Sequence, residues 1–288
     1  YYGERGVARR IRELLAHPPK PMQGLLRLES TDLSDEQQIA IKKALHSSVS
    51  VITGGPGTGK TTCLKALIQL LEAHNIRYAL ASPTGRAAKR LSEATGRPAS
   101  TIHRLLAFKP GEGFKHHEKN PLKIEYLVVD ESSMLDILLT YHLLRALQPG
   151  TQVLFVGDID QLPSVGAGDV LRDIIDSGEV SVSRLMKIFR QAENSQIITN
   201  AHRINQGKMP LFSKSSQGDF FLFPAEDAEK AAEWVVELAS QRIPETFGFD
   251  PIKDIQVLTP MYRGAAGVHA LKEQLQSILN PPATKKWR

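Results

Sequence analysis

The sequence predicts an α/β fold, a parallel sheet wrapped by helices, and two observations predict it. The first is Gly54-Gly55-Pro56-Gly57-Thr58-Gly59-Lys60-Thr61, a complete match to G-x-x-x-x-G-K-[ST]. It follows Ser50-Val51-Ile52-Thr53, which reads as the buried strand that such a loop requires. From average residue frequencies, a chance match in a chain of this length arises roughly once in a hundred sequences. The second is the alternation of short apolar runs with helical patterns along the chain, the signature of a parallel sheet between helices.

Residues 4–16 read as an amphipathic helix, with Val7, Ile11, Leu14 and Leu15 apolar, ended by His17-Pro18-Pro19. A Pro-containing linker then runs to about Glu29, and the main domain begins near Leu33. Ser34 suits the N-cap of a helix over 35–46, with Gln37 and Gln38 in capping positions. Strands are expected over 49–53, 78–81, 126–129 and 152–156, and helices over 60–74, 85–94 and 134–147. Between 107 and 123 the pattern breaks into Lys109-Pro110-Gly111-Glu112-Gly113 and His116-His117-Glu118-Lys119, a small hairpin or loop insert. The paired histidines have no nearby Cys or third ligand and read as solvated rather than metal-binding. A second region opens around Ser183-Arg184-Leu185, with helical patterns over 194–206 and 226–241 and a strand over 255–258. The expected organisation is therefore 1–29 as the end of an N-terminal helical region with its linker, 30–185 as one domain, and 186–288 as the start of another.

With 288 residues and 41% hydrophobic content the chain can bury one large core or two moderate ones. A single cysteine, Cys63, excludes an internal disulfide framework, fits a reducing compartment and reads as helix packing. No apolar stretch approaches the roughly 20 residues needed to cross a bilayer, so a cytoplasmic protein free of the membrane is expected. The net charge of +5 and a pI of about 9.2 fit a polyanionic partner or a merely basic surface. Both ends read as cut: Tyr1 opens directly into a helical pattern, and the Pro281-Pro282 tail closes no element.

Successive glycines let a P-loop wrap phosphates with its N–H groups inward, which makes Gly55, Pro56, Gly57, Thr58, Gly59, Lys60, Thr61 and Thr62 the expected ATP contacts. Lys60 adds a mobile positive charge, and the Thr61 hydroxyl can ligate Mg²⁺. Leu127-Val128-Val129-Asp130-Glu131 is an apolar strand ending in two carboxylates, at the sheet edge where ligands bind. Asp130 can hold Mg²⁺ beside Thr61 while Glu131 polarises the attacking water; an acidic helix N-terminus is the plainer reading of one carboxylate. Val153-Leu154-Phe155-Val156 runs into Gly157-Asp158-Ile159-Asp160-Gln161-Leu162-Pro163, which puts the Gln161 amide at the same edge as a γ-phosphate or water contact.

Five segments in order resemble superfamily 1 helicases of the RecD-like branch: Leu33-Ser34-Asp35-Glu36-Gln37, the P-loop, Ala81-Ser82-Pro83-Thr84-Gly85-Arg86-Ala87-Ala88, Asp130-Glu131-Ser132-Ser133-Met134, and Gly157 to Pro163. Thr101-Ile102-His103-Arg104-Leu105-Leu106, Ile188-Phe189-Arg190-Gln191 and Val257-Leu258-Thr259-Pro260-Met261-Tyr262-Arg263-Gly264 extend the likeness. The resemblance implies tandem RecA-like domains, with Gln37 reading the adenine edge and Arg190 reaching across as an arginine finger. It implies contacts to single-stranded DNA from Pro83, Thr84, Arg86, Thr101, His103, Thr259, Pro260 and Met261. It makes 107–123 a pin that helps split the duplex, with Phe108 and Phe114 its aromatics. Two later segments of the branch do not occur before Arg288, so the second motor domain is expected to be incomplete.

The function expected on this resemblance is an ATP- and Mg²⁺-dependent DNA helicase moving 5′→3′ on single strands and acting at duplex–single-strand junctions in repair or recombination. The competing expectation is a DNA-stimulated ATPase or nucleotide switch that remodels protein–DNA complexes without separating strands.

Overall fold

A computed structural model describes residues 2–19, 33–187, 195–213 and 218–281. It divides into two compact units, Tyr1–Leu211 and Phe212–Arg288. The first opens with α1 (Tyr2–Leu15), α2 (Asp35–His46), β1 (Val49–Gly54), α3 (Lys60–Ala73), β2 (Tyr78–Ser82) and α4 (Gly85–Thr95). There follow β3 (Ala99–Thr101), α5 (Ile102–Leu105), the short strands β4 (Phe108–Lys109) and β5 (Gly113–Phe114), and β6 (Tyr126–Val129). A 3₁₀ turn (Ser132–Met134), α6 (Ile137–Arg145), β7 (Gln152–Gly157), α7 (Val170–Asp176), β8 (Ser181–Leu185) and α8 (Gln196–Asn205) complete it.

The six long strands form one parallel sheet in the order β3-β2-β6-β7-β1-β8. Because side chains alternate across a strand, each central strand feeds two cores. Val51, Leu127, Val129, Val153 and Phe155 face one side, where Val7, Ile11 and Leu14 of α1 join residues of α6 and α7. Ile52, Tyr126, Val128, Leu154 and Val156 face the other, against α2, α3 and Leu91 of α4. This is a P-loop α/β fold. Cys63 lies in the second core, where burial pushes its thiol up to about 12.

Several elements differ from the sequence reading. Ser181–Leu185 does not open a second region: it is the sixth strand, pairing with β1 through Ile52↔Ser183. The helix expected over 134–147 begins at Ile137, because the Asp136 side chain accepts a bond from Leu139 N at 2.8 Å and caps it there. The first unit also includes α8, and α1 docks on α6: the Arg10 guanidinium donates to the carbonyls of Leu144 (3.2 Å) and Leu147 (2.7 Å) at the end of α6.

The second unit contains α9 (Ala228–Glu237), a π turn (Leu238–Arg242), α10 (Ile243–Phe247) and α11 (Val268–Leu279). The strand expected over 255–258 is irregular instead. A strand needs a neighbour to complete its hydrogen bonds, and the described residues of this unit contain none. Among the described residues no helix is long and apolar enough to cross a membrane.

Candidate active site

Strands β6, β7 and β1 are adjacent and parallel, so the loops leaving their carboxyl ends converge at one edge. Those loops are the Asp130-Glu131 turn, the Asp158–Gln161 turn and the P-loop, which the sequence places more than 20 residues apart from one another. A bond from Ile159 N to Thr53 Oγ1 (3.2 Å) ties the second to the strand before the third.

Gly57 (φ 76°) and Gly59 (φ 81°) turn the P-loop through left-handed conformations that side chains resist. Gly59 is also the N-cap of α3, whose first turn presents exposed Thr61 and Thr62. Thr58 Oγ1 donates to Gly55 O (2.9 Å), while Lys60 Nζ donates to Gly54 O (2.5 Å) and Gly55 O (3.0 Å). The ammonium is thus held by carbonyls inside the loop, where an anion would compete for it. These residues fit a Mg²⁺–nucleotide, with Thr61 and Asp130 as the oxygen donors available to the ion.

Burial raises the Asp130 carboxyl to about 6, with the neighbouring Glu131 charge adding to the rise and Lys60 opposing it. A carboxylate so placed lacks a full counter-charge, which a divalent cation supplies. Glu131 sits at φ 54°, ψ 42°, left-handed backbone that a side chain adopts only under constraint from its surroundings. Gln161 is exposed at the edge, its N–H bonded to Asp158 O (3.2 Å). Asp158 itself is buried, accepting from Asp160 N (3.1 Å).

Gln37 is 1% exposed and engaged at both ends of its amide. Its oxygen accepts from Ser34 N (3.0 Å), closing a capping box, and its nitrogen donates to Gly59 O (3.4 Å), at the P-loop. Arg190 lies outside the described residues.

Strands β2 and β3 pair through Ser82↔Thr101, which brings the Pro83–Arg86 and Thr101–His103 segments side by side at the same sheet edge. Thr84 Oγ1 accepts from Ala87 N (3.3 Å) and Thr101 Oγ1 from Arg104 N (3.2 Å), so both hydroxyls cap helices, and Arg86 and Arg104 are exposed beside them. His103 lies 5.5 Å from Phe108 and 5.6 Å from Phe114, whose rings pair across β4 and β5. Among the segments expected to meet DNA, 107–123 is therefore a hairpin propped on the His103 helix. Thr259, Pro260 and Met261 belong to the second unit, with Thr259 Oγ1 donating to Ala266 O (2.7 Å) and Met261 half-exposed.

Sequence reasoning missed Thr53, Asp158 and the reason for Gly157. A Cβ at Gly157 would stand 3.1 and 3.2 Å from the amides of Ser133 and Ser132, so this glycine lets the Asp130 loop close onto β7. Only the spacing of the two loops hinted at such a contact.

A family model described as an AAA domain matches residues 37–167. The ATP-dependent RecD2 DNA helicase of Deinococcus radiodurans is 38% identical over 96% of this chain. The RecBCD enzyme subunit RecD is 34% identical over 85% of the chain in Mycolicibacterium smegmatis, and 36% identical over 77% in Mycobacterium tuberculosis. The chain spans 38%, 50% and 41% of those three proteins. A Pif1 helicase structure from Candida albicans covers 76% of this chain and 56% of its own at 24% identity and a TM-score of 0.49, too loose a likeness to bear on function. The chain belongs to the RecD-like group of superfamily 1 helicases.

Proposed function

We propose that the protein is part of an ATP-dependent DNA helicase that moves 5′→3′ along single-stranded DNA and couples hydrolysis to duplex unwinding in repair or recombination. The observation that carries the reading is the convergence of the P-loop, Asp130-Glu131 and the Gln161 turn on three adjacent strand ends. On the same edge lies a basic segment pair, with an aromatic hairpin packed on its His103.

In this reading Lys60 leaves the loop carbonyls for the β- and γ-phosphates, and Thr61 and Asp130 hold Mg²⁺, which neutralises charge on the phosphates when bound. Glu131 takes the proton of the attacking water, and Gln161 registers whether the γ-phosphate is present. Gln37 reads the adenine edge by exchanging its bond to Gly59, and Arg190 acts as an arginine finger on the transferring phosphoryl group. The Pro83–Arg86 and Thr101–His103 segments contact the single strand, Thr259, Pro260 and Met261 are each DNA-contacting residues of the second unit, and the 107–123 hairpin meets the duplex at a junction.

The experiment is strand displacement by the full-length protein on duplexes carrying a 5′ or a 3′ single-stranded tail, with ATP and Mg²⁺. Displacement of the 5′-tailed substrate alone supports the proposal. Displacement of the 3′-tailed substrate reverses the polarity, and ATP turnover with neither displaced indicates the remodelling ATPase.

A further inference from the structure

We propose that His202, on α8, is an additional nucleotide-binding residue that donates from Nε2 to the bound polyphosphate; this rests on the nucleotide reading of the P-loop above. Proximity is the first observation. A Cβ built on Gly55 would lie 2.7 Å from His202 Cε1 and 3.4 Å from Nε2, so the imidazole is packed directly on the second residue of the loop. Gly55 is not among the glycines with positive φ, so its backbone does not require glycine; the ring against it does.

The second observation is that His202 Nε2 is buried and has no hydrogen-bond partner, one of three such side-chain atoms among the described residues. Buried polar groups are nearly always matched, and an unmatched one beside a ligand loop marks where a ligand atom belongs. Third, the helix that carries the ring is anchored. Asn200, two residues earlier on α8, exchanges bonds with Leu211 (Nδ2 to O 2.6 Å, Oδ1 from N 2.7 Å), and Arg203 Nε donates to Met209 O (2.9 Å). A positioned imidazole N–H against an anionic oxygen makes a charge-assisted bond at little ordering cost.

The test is equilibrium titration of full-length protein with a fluorescent ATP analogue and Mg²⁺, with thermal melts confirming that each variant folds. His202→Phe keeps the ring and loses the nitrogens, and it is expected to weaken binding about tenfold or more. His202→Gln, which retains an N–H donor, is expected to stay within a few-fold of wild type. Gly55→Ala, whose methyl would collide with the ring, is expected to weaken binding. If wild type binds and His202→Phe or His202→Ala binds equally well, the proposal is overturned while the nucleotide reading stands. If His202→Gln loses as much as His202→Phe, donation from Nε2 is likewise overturned. If wild type itself does not bind, both fall.

Discussion

Asp130 shows at the scale of one residue what burying a carboxylate costs. Its value of about 6 lies above the ordinary 3.8, so between those pH values the folded chain keeps a proton that the unfolded chain has released. Stability therefore falls as pH rises through that window, and above it the full cost, on the order of 3 kcal/mol, is present. Asp130→Asn should raise the melting temperature of the metal-free, full-length protein at pH 8 and leave it unchanged at pH 4. Equal shifts at both pH values would mean that charge burial is not the cause. The neighbouring Glu131 stores backbone strain at φ 54°. Glu131→Gly should relieve about 1 kcal/mol of it while lowering ATP turnover by ~10² or more, so that calorimetry and turnover move in opposite directions. A lower melting temperature for Glu131→Gly would show that the side chain's contacts outweigh the strain. Lys60, Thr61 and Asp130 could be offered as candidates from sequence because each belongs to a local pattern. Why glycine stands at 55 and 157 was not legible, since their neighbours His202, Ser132 and Ser133 are remote in sequence and reach them only through the fold.

Among elements, the sequence read best where burial is two-sided. Strand β6 is an unbroken apolar run buried on both faces, and α2 carries its own capping box; both have the bounds expected. The two edge strands were missed: β3 is three half-buried residues, and β8 alternates Ser, Val, Ser, Arg, Leu, a pattern that an outer position with one neighbour tolerates. The segment 255–258 carries strand-like residues without a strand to pair with. The docking of α1 was illegible for another reason, because Arg10 looks in sequence like any helix-surface cation. Its side chain is 10% exposed and is bonded to two carbonyls of the α6 end as well as to Glu13, whereas the Arg9 side chain is 63% exposed and pairs with Glu13 at 3.5 Å. Buried hydrogen bonds lost without replacement outweigh a solvated ion pair. Arg10→Ala should therefore destabilise the full-length protein by about 2 kcal/mol and Arg9→Ala by less than about 0.5, as read from denaturant midpoints. Equal effects would remove the capping role.

For the whole molecule, the central claim is that one sheet edge serves both ATP and a DNA strand, so that each affects the other. The net charge of +5 and the basic segments beside β2 and β3 favour a phosphate backbone over a particular base sequence. The sheet order makes the connection short, since β2, which leads into Pro83–Arg86, borders β6, which leads into Asp130-Glu131. The most direct measurement is the steady-state ATP turnover of full-length protein as single-stranded DNA is titrated in at fixed, moderate salt. The account predicts turnover that rises and saturates with DNA, with a half-saturation point that moves to higher DNA concentration as salt increases and is the same for strands of unrelated sequence. Turnover that is already maximal without DNA, and unmoved by it, would contradict the account.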